Sequence, residues 1–174
     1  LNPSEALRAE FFFFHTPPTL FLFAPLGWFN INTAFAVWYV IHTVIFLITV
    51  WQLWKIFWSD KGLIGLLLAI TLALLFYSTW SIVGHGQINF LLLLFILLFW
   101  RNHNRPRAGI WLALGIFTKP IVVFLLLYPV VKRRWRIILA MIGTMALASL
   151  LTILVYGPDM FFSYFTSNPI ANDM

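Results

Sequence analysis

The sequence predicts an all-α fold, a polytopic bundle of transmembrane helices. Of its 174 residues, 62% are hydrophobic and only 9% are charged, whereas a soluble domain carries about 25% charged residues. Seven of the eleven Lys and Arg residues lie in two clusters, 101–107 and 132–136, that adjoin apolar stretches. Such clusters flank membrane spans on the cytoplasmic side. The net charge of +6 therefore fits a membrane protein and does not indicate a nucleic-acid partner.

The chain is expected to form one transmembrane domain over residues 1–174, because no linker, internal repeat or soluble domain interrupts it. It begins at Leu1 without a cleavable signal pattern, and its last residues show no evident finish. We therefore interpret it as a fragment truncated at both ends. It contains no cysteine, which excludes disulfide and thiol chemistry.

Three stretches are long and apolar enough to span a bilayer, which takes roughly 20 residues of helix. They are 32–57, 62–83 and 137–156. An earlier apolar stretch, 11–29, is interrupted by three prolines. Because proline disrupts a helix, this stretch is predicted to be broken, tilted or re-entrant.

A short polar segment, GHGQIN at 84–89, opens the next apolar stretch. That stretch, 88–100, is only about 20 Å long as a helix, so its polar start is expected below the membrane surface or in a water-filled cavity. His85, Gln87 and Asn89 could hydrogen-bond to sugar hydroxyls or phosphate oxygens. They could equally join helices to one another or cap the first N–H groups of a helix. The residues themselves leave both interpretations open.

The stretch 108–131 is long enough for one helix, but Lys119 and Pro120 interrupt its centre. Proline removes a backbone donor and disfavours helical geometry at the residue before it. A single crossing would put the two basic clusters on opposite sides of the membrane, against the positive-inside rule. We therefore predict a hairpin of two short half-helices, with both clusters in the cytoplasm and Lys119 at the tip. Lys119 and residues 84–87 are then expected in the same outward-facing half of the membrane.

Lys119 is the first candidate for a binding residue. A lysine within hydrocarbon costs roughly 3 kcal/mol or more unless it pairs with an anion or reaches water. We interpret it as a ligand of a lipid phosphate, because its compact ammonium group suits that partner. The alternative is a lysine at a helix end whose amine snorkels to water. His15, just before Pro17 and Pro18, is a weaker candidate for the same cavity.

Two other polar residues are interpreted as structural. His42, in the middle of a span, is expected to hydrogen-bond to a neighbouring helix, and Asp159 is expected in a solvated loop. The four histidines lack the spacing of a metal-ligand set, and no glycine-rich nucleotide loop is present. We therefore expect neither a metal nor a cofactor.

Four motifs follow one another along the chain. They are Pro-Pro in HTPPTLFLFAPL, Gly-Gln-x-Asn in GHGQINFLLLLFILL, Ala-Gly leading to Lys-Pro in RAGIWLALGIFTKP, and Arg-Trp-Arg at 134–136. In this order they resemble the bacterial membrane glycosyltransferases of glycosyltransferase family 87, polyprenyl-phosphate-mannose-dependent alpha-mannosyltransferases of the GT-C superfamily. The resemblance covers most of residues 11–165. Two features depart from it: His15-Thr16 replaces the usual aromatic residue, and no residue matches the early aspartate that serves as catalytic base.

The resemblance implies a reaction. A sugar, mannose in this family, would pass from a polyprenyl-phosphate donor to a hydroxyl of a glycan or glycolipid acceptor on the outer side of the membrane. Lys119 would stabilise the phosphate leaving group, with His85 and Gln87 as hydrogen-bond donors, and the catalytic base is unassigned. The protein would be a multi-pass protein of the bacterial plasma (inner) membrane, with the lipid bilayer as a partner and no metal required.

Two alternatives remain open. Broken helices and polar groups near the midplane also mark transporters and flippases, although the sequence shows no internal repeat. A non-catalytic protein that binds lipid phosphate would keep the same fold without the base.

Overall fold

The computed structural model describes residues 16–75, 88–159 and 161–162. Within these ranges all regular secondary structure is helical, which confirms the predicted all-α fold class. The α-helices are α1 (Leu20–Phe23), α2 (Ile31–Phe57), α3 (Gly62–Leu75), α4 (Asn89–Arg101), α5 (Ala108–Thr118), α6 (Leu127–Val131) and α7 (Trp135–Tyr156). The 3-10 segments that adjoin them are Pro17–Thr19, Ala24–Trp28, Ser59–Lys61 and Pro120–Leu126.

Two helices match predicted spans closely. α2 has 27 residues and α7 has 22, and each is long and apolar enough to cross a membrane. Asn30 sets the start of α2, because its Oδ1 accepts a hydrogen bond of 3.0 Å from the backbone N–H of Thr33 and so satisfies a donor of the first turn. Gly157, with φ of 87°, ends α7 in a backbone conformation that residues other than glycine rarely adopt. The predicted stretches 32–57 and 137–156 are thus confirmed as helices.

The two long helices carry apolar side chains on surfaces that the protein leaves uncovered. Only 22% of the apolar window of α2 and 17% of that of α7 is buried inside the protein. On α7, Leu139, Leu154 and Val155 are 67%, 71% and 60% exposed. Exposing such area to water costs about 25 cal/mol per Å², and hydrocarbon removes that cost. Uncovered apolar faces of this kind are typical of helices that span a membrane.

The remaining predicted elements are present where the structure describes them. The stretch 88–100 is the helix α4, and α3 occupies the described part of 62–83; residues 76–83 lie outside the described residues. From residue 16 to residue 28 the chain forms three short helical pieces. The described part of 11–29 is therefore broken, as its prolines predict.

α5 lies at the centre of the bundle, packed against α4 and α7. Ala108 and Leu112 of α5 are 0% and 1% exposed, and they share one apolar core with Phe99 of α4 and Met141 of α7. α5 and α7 approach closely because Gly109 presents no side chain. A Cβ atom placed there would lie 2.6 Å from the backbone nitrogen of Met141. The second main contact of α4 is with α2, so α4 joins the hairpin to the first long helix.

The hairpin follows directly from the break after α5. Lys119 adopts an extended conformation, with φ of −147° and ψ of 116°. Pro120, which has no N–H to continue the α-helical ladder, opens a 3-10 segment of seven residues that leads into α6. This arm folds back on α5, since a Cβ atom on Gly115 would lie 3.1 Å from Cγ1 of Val122. The predicted hairpin is confirmed, and most of its second arm is the tighter 3-10 helix.

Hydrogen bonds gather the two basic clusters at one end of the bundle, which we call the basic end. Nη1 of Arg101, the last residue of α4, donates to Oε1 of Gln52 near the end of α2, at 2.8 Å. Nη1 of Arg134, just before α7, donates to the backbone oxygen of His103 at 2.5 Å and to Oδ1 of Asn104. Both clusters therefore lie at the same end, as the predicted hairpin requires.

Candidate functional site

Lys119 lies on the side of the bundle that points away from the basic end, and we call this side the Lys119 end. It follows α5, whose 11 residues extend about 16 Å at 1.5 Å per residue. The Lys119 side chain is partly exposed, and no carboxylate among the described residues forms an ion pair with its amine. Its backbone N–H donates to the carbonyl of Gly115 at 3.0 Å, so the residue caps the helix. The carbonyl end of a helix carries partial negative charge, which favours an ammonium group there.

Two threonine hydroxyls donate hydrogen bonds to backbone carbonyls at the end of α5, where the helix breaks. Oγ1 of Thr16 donates to the backbone oxygen of Phe117 at 2.9 Å, and Oγ1 of Thr118 donates to that of Gly115 at 2.7 Å. The last carbonyls of a helix have no donors within the helix, so these hydroxyls satisfy acceptors at the end of α5. The bond from Thr16 also brings the N-terminal segment to the Lys119 end of the bundle.

Asn89 begins α4 at this same end. α4 and α5 run antiparallel, because the loop 102–107 joins the end of one to the start of the other and the rings of Phe95 and Trp111 stack with centroids 6.2 Å apart. Asn89 is partly exposed, but its Oδ1 atom is buried. An amide N–H donates hydrogen bonds, so this group can bind a phosphate oxygen or the oxygen of a sugar hydroxyl through its donor.

The described structure therefore brings two of the predicted site residues, Lys119 and Asn89, to one end of the bundle. His15, His85 and Gln87 lie outside the described residues, and their place in the site stays a prediction. An ammonium group at a helix end, with an amide at the start of a neighbouring helix, is an arrangement that can bind an anion.

The expected hydrogen bond of His42 is not formed within the part of the chain that the structure describes. The side chain is 3% exposed, and neither ring nitrogen has a hydrogen-bond partner there. The ring instead packs between Trp38 and Phe90, with centroids 5.8 Å and 5.3 Å away. Aromatic packing of this kind supplies contact energy of its own, and it ties the middle of α2 to the start of α4.

Sequence reasoning missed the position of two residues. Gln52 is 7% exposed and anchors Arg101, and no motif around it signalled this contact. Asp159 is exposed, as predicted, but its backbone is helical, so the predicted loop is wrong at this residue. It follows α7 at the Lys119 end, where the ring of Tyr156 packs 5.4 Å from that of Phe21. Counting one helix from the cluster 132–136 would have placed it there.

The described residues contain no group of three or more His, Cys, Asp or Glu side chains that could hold a metal ion.

Comparison with known proteins gives one match. The family model of glycosyltransferase family 87 matches residues 13–172, nearly the whole chain. No curated protein and no solved structure matches it. The matched range contains all the residues predicted to form the site, and it confirms the family that the motifs resemble.

Proposed function

Because this chain belongs to glycosyltransferase family 87, we propose that it acts in transferring a sugar from a polyprenyl-phosphate donor to an acceptor hydroxyl. The sugar in this proposal is a hexose, specifically mannose, and the acceptor is a glycan or glycolipid on the outer side of a bacterial plasma membrane. The basic end then faces the cytoplasm, in keeping with the positive-inside rule. The Lys119 end faces the opposite leaflet, where the acceptor enters.

The observation that supports this proposal is the position of Lys119. Lys119 lies at the far end of α5 from the arginines, and residues 108–117 of that helix are apolar. No carboxylate among the described residues forms an ion pair with its amine. A lysine near the bilayer centre costs roughly 3 kcal/mol in insertion experiments. A phosphate on a membrane lipid is an anion that reaches this depth from within the bilayer, so its binding offsets that cost.

The reaction follows from the charges that it moves. The acceptor hydroxyl gives its proton to a base as its oxygen forms a bond to the anomeric carbon, and the bond from that carbon to the phosphate oxygen breaks. Negative charge builds on the departing phosphate, and a fixed cation with hydrogen-bond donors stabilises it, each donor by roughly 3 to 4 kcal/mol. Lys119 supplies the cation, and Asn89, His85, Gln87 and His15 are the proposed partners for the phosphate and the sugar hydroxyls. The proposal assigns no catalytic base within this chain.

The test replaces Lys119 in the full-length protein and measures sugar transfer in membranes that contain it. With a polyprenyl-phosphate-mannose donor, Lys119→Met is expected to lower transfer by about 100-fold or more, because one stabilising group for the developing charge is lost. Lys61→Met is the matched control, since Lys61 is an exposed lysine beside α2 and is expected to keep transfer unchanged.

Near-normal transfer by Lys119→Met would remove the phosphate role. Transfer from a soluble nucleotide-sugar, with the lipid donor absent, would contradict the proposed donor. The role of Lys119 would then be tested by assaying Lys119→Met with that nucleotide-sugar. Equal amounts of both variants in the membrane, measured by immunoblot, exclude a folding defect as the cause.

A further inference from the structure

Two adjoining open cavities lie at the basic end, with volumes of about 330 Å³ and 530 Å³. Asn104 and Arg105 line both cavities, so the loop between α4 and α5 forms the wall that they share. The other arginines that line them are Arg101 and Arg107 in the smaller cavity, and Arg133, Arg134 and Arg136 in the larger one. This pair of cavities plays no part in the chemistry at Lys119.

Among the residues that the structure describes, no acidic side chain lines either cavity. The sequence contains no Asp or Glu between Asp60 and Asp159, so none of the helices and loops that form the cavities carries a carboxylate. Like charges gathered in a concave surface repel one another and raise the local affinity for anions. The cavities are therefore suited to an anionic occupant.

Arg134 holds the larger cavity in shape. Its Nη1 donates to the His103 carbonyl and to Oδ1 of Asn104, and its guanidinium carbon lies 5.5 Å from the centroid of the Tyr128 ring. These contacts fix the loop after α4 against the turn before α7. The cavity is therefore built by the protein, and the exposed Arg105 and Arg136 remain available to an anion.

Two tryptophans place the cavities at a definite level of the membrane. Trp100, at the end of α4, is 49% exposed, and Trp135, at the start of α7, is 60% exposed. Exposed tryptophans at the ends of apolar helices lie at the level of the lipid headgroups. The anion available to a helix bundle at this level of the membrane is the headgroup of a phospholipid.

We propose that the two cavities bind one anionic phospholipid whose headgroup carries two phosphates, of the diphosphatidylglycerol (cardiolipin) type. One phosphate occupies each cavity, and Arg105 contacts both from the shared wall. The planar guanidinium binds phosphate oxygens in pairs. Basic pockets between transmembrane helices on the cytoplasmic side are a recurrent type of site for such headgroups.

The experiment titrates the purified full-length protein in a neutral detergent with diphosphatidylglycerol and follows binding by native mass spectrometry. Arg105→Gln combined with Arg136→Gln is expected to weaken binding about thirtyfold, from about 1 kcal/mol per charge near the surface. Lys61→Gln combined with Lys132→Gln removes the same charge from exposed residues outside both cavities. This control is expected to weaken binding less than about threefold.

Equal losses in the two double variants would show a diffuse positive surface and overturn the proposal. Phosphatidylglycerol, with one phosphate, is expected to bind more weakly than diphosphatidylglycerol, and equal binding would contradict the two-phosphate occupant. Inorganic pyrophosphate is expected not to displace the lipid; displacement at equal concentration would show a site for soluble phosphate. Should the glutamine variant not fold, Arg105→Lys with Arg136→Lys keeps the charge and loses paired binding, and an unchanged preference for diphosphatidylglycerol would then refute the proposal.

Discussion

Arg101 donates a hydrogen bond of 2.8 Å from Nη1 to Oε1 of Gln52 and so joins the C-terminal ends of α4 and α2. Because these two helices pack together with the same ends adjacent, they run parallel. The chain that connects the end of α2 to the start of α4 therefore has to run back from the basic end, and α3 is the first part of this connection. This one contact orients the first long helix relative to the basic clusters, which hydropathy alone does not do.

Replacing Gln52 tests that contact. Gln52→Leu is expected to lower the stability by about 1.5 kcal/mol, the low end for a hydrogen bond to a charged group, because Arg101 is exposed. For a chain of this size the melting temperature falls by about 4 °C, measured by thermal unfolding in detergent. Gln52→Glu keeps the acceptor and is the control. A melting temperature that Gln52→Leu leaves unchanged would mean that water replaces the bond at no cost.

The close approach of α5 and α7 gives a second prediction. Gly109→Ala is expected to lower the stability by about 1 to 3 kcal/mol, the usual cost of overpacking, because the new methyl group meets the backbone at Met141. Gly143→Ala is the matched control on α7, where a Cβ atom meets nothing within 4 Å. Alanine forms helix better than glycine by about 1 kcal/mol, so the control is expected to be neutral or stabilising. Equal melting temperatures for the two variants would contradict the tight contact.

The arrangement of the two ends is open to chemical labelling. The sequence has no cysteine, so each introduced thiol is the only one in the chain. Arg107→Cys and Arg133→Cys are expected to react with a membrane-impermeant maleimide from the cytoplasmic side, and Asp159→Cys from the opposite side. All three positions are exposed. Reaction of the first two from opposite sides would be incompatible with the hairpin.

Replacing Asp159 tests whether this exposed carboxylate acts as a catalytic base. Asp159→Asn is expected to change sugar transfer by less than about threefold, because an exposed carboxylate after α7 is solvated. A general base contributes about 100-fold or more, so a loss of that size would give Asp159 a catalytic role. The measurement is transfer from the polyprenyl-phosphate donor, with Lys119→Met assayed beside it as the inactive reference.

Much of the fold could be predicted from the sequence because hydrocarbon imposes simple rules. Apolar length gave α2 and α7, and the basic clusters on either side of Lys119 and Pro120 gave the hairpin. The sequence did not predict the local conformation of the second arm of the hairpin. Nothing in the sequence indicated that seven residues after Lys119 form a 3-10 helix, since the choice between 3-10 and α-helix depends on how the arm packs against Gly115.

The candidate site was predictable only in outline. Lys119 was evident because a charge between apolar helices is costly. The contacts of His42 and Gln52 were not evident, because each depends on which helix lies opposite and in which direction it runs. Side chains that look alike in sequence thus have different roles: His42 packs between aromatic rings, while Gln52 binds a guanidinium group.

The shortness of α5 has a consequence for the lipid around the protein. Its axis covers about 16 Å, roughly half of the 30 Å or so of hydrocarbon in a bilayer. Under the proposed function, the donor phosphate has to descend well beneath the opposite surface, or that leaflet has to thin toward Lys119. The rate of sugar transfer is therefore expected to depend on the length of the lipid acyl chains. In a thicker membrane the amine lies farther from the surface at which the acceptor arrives.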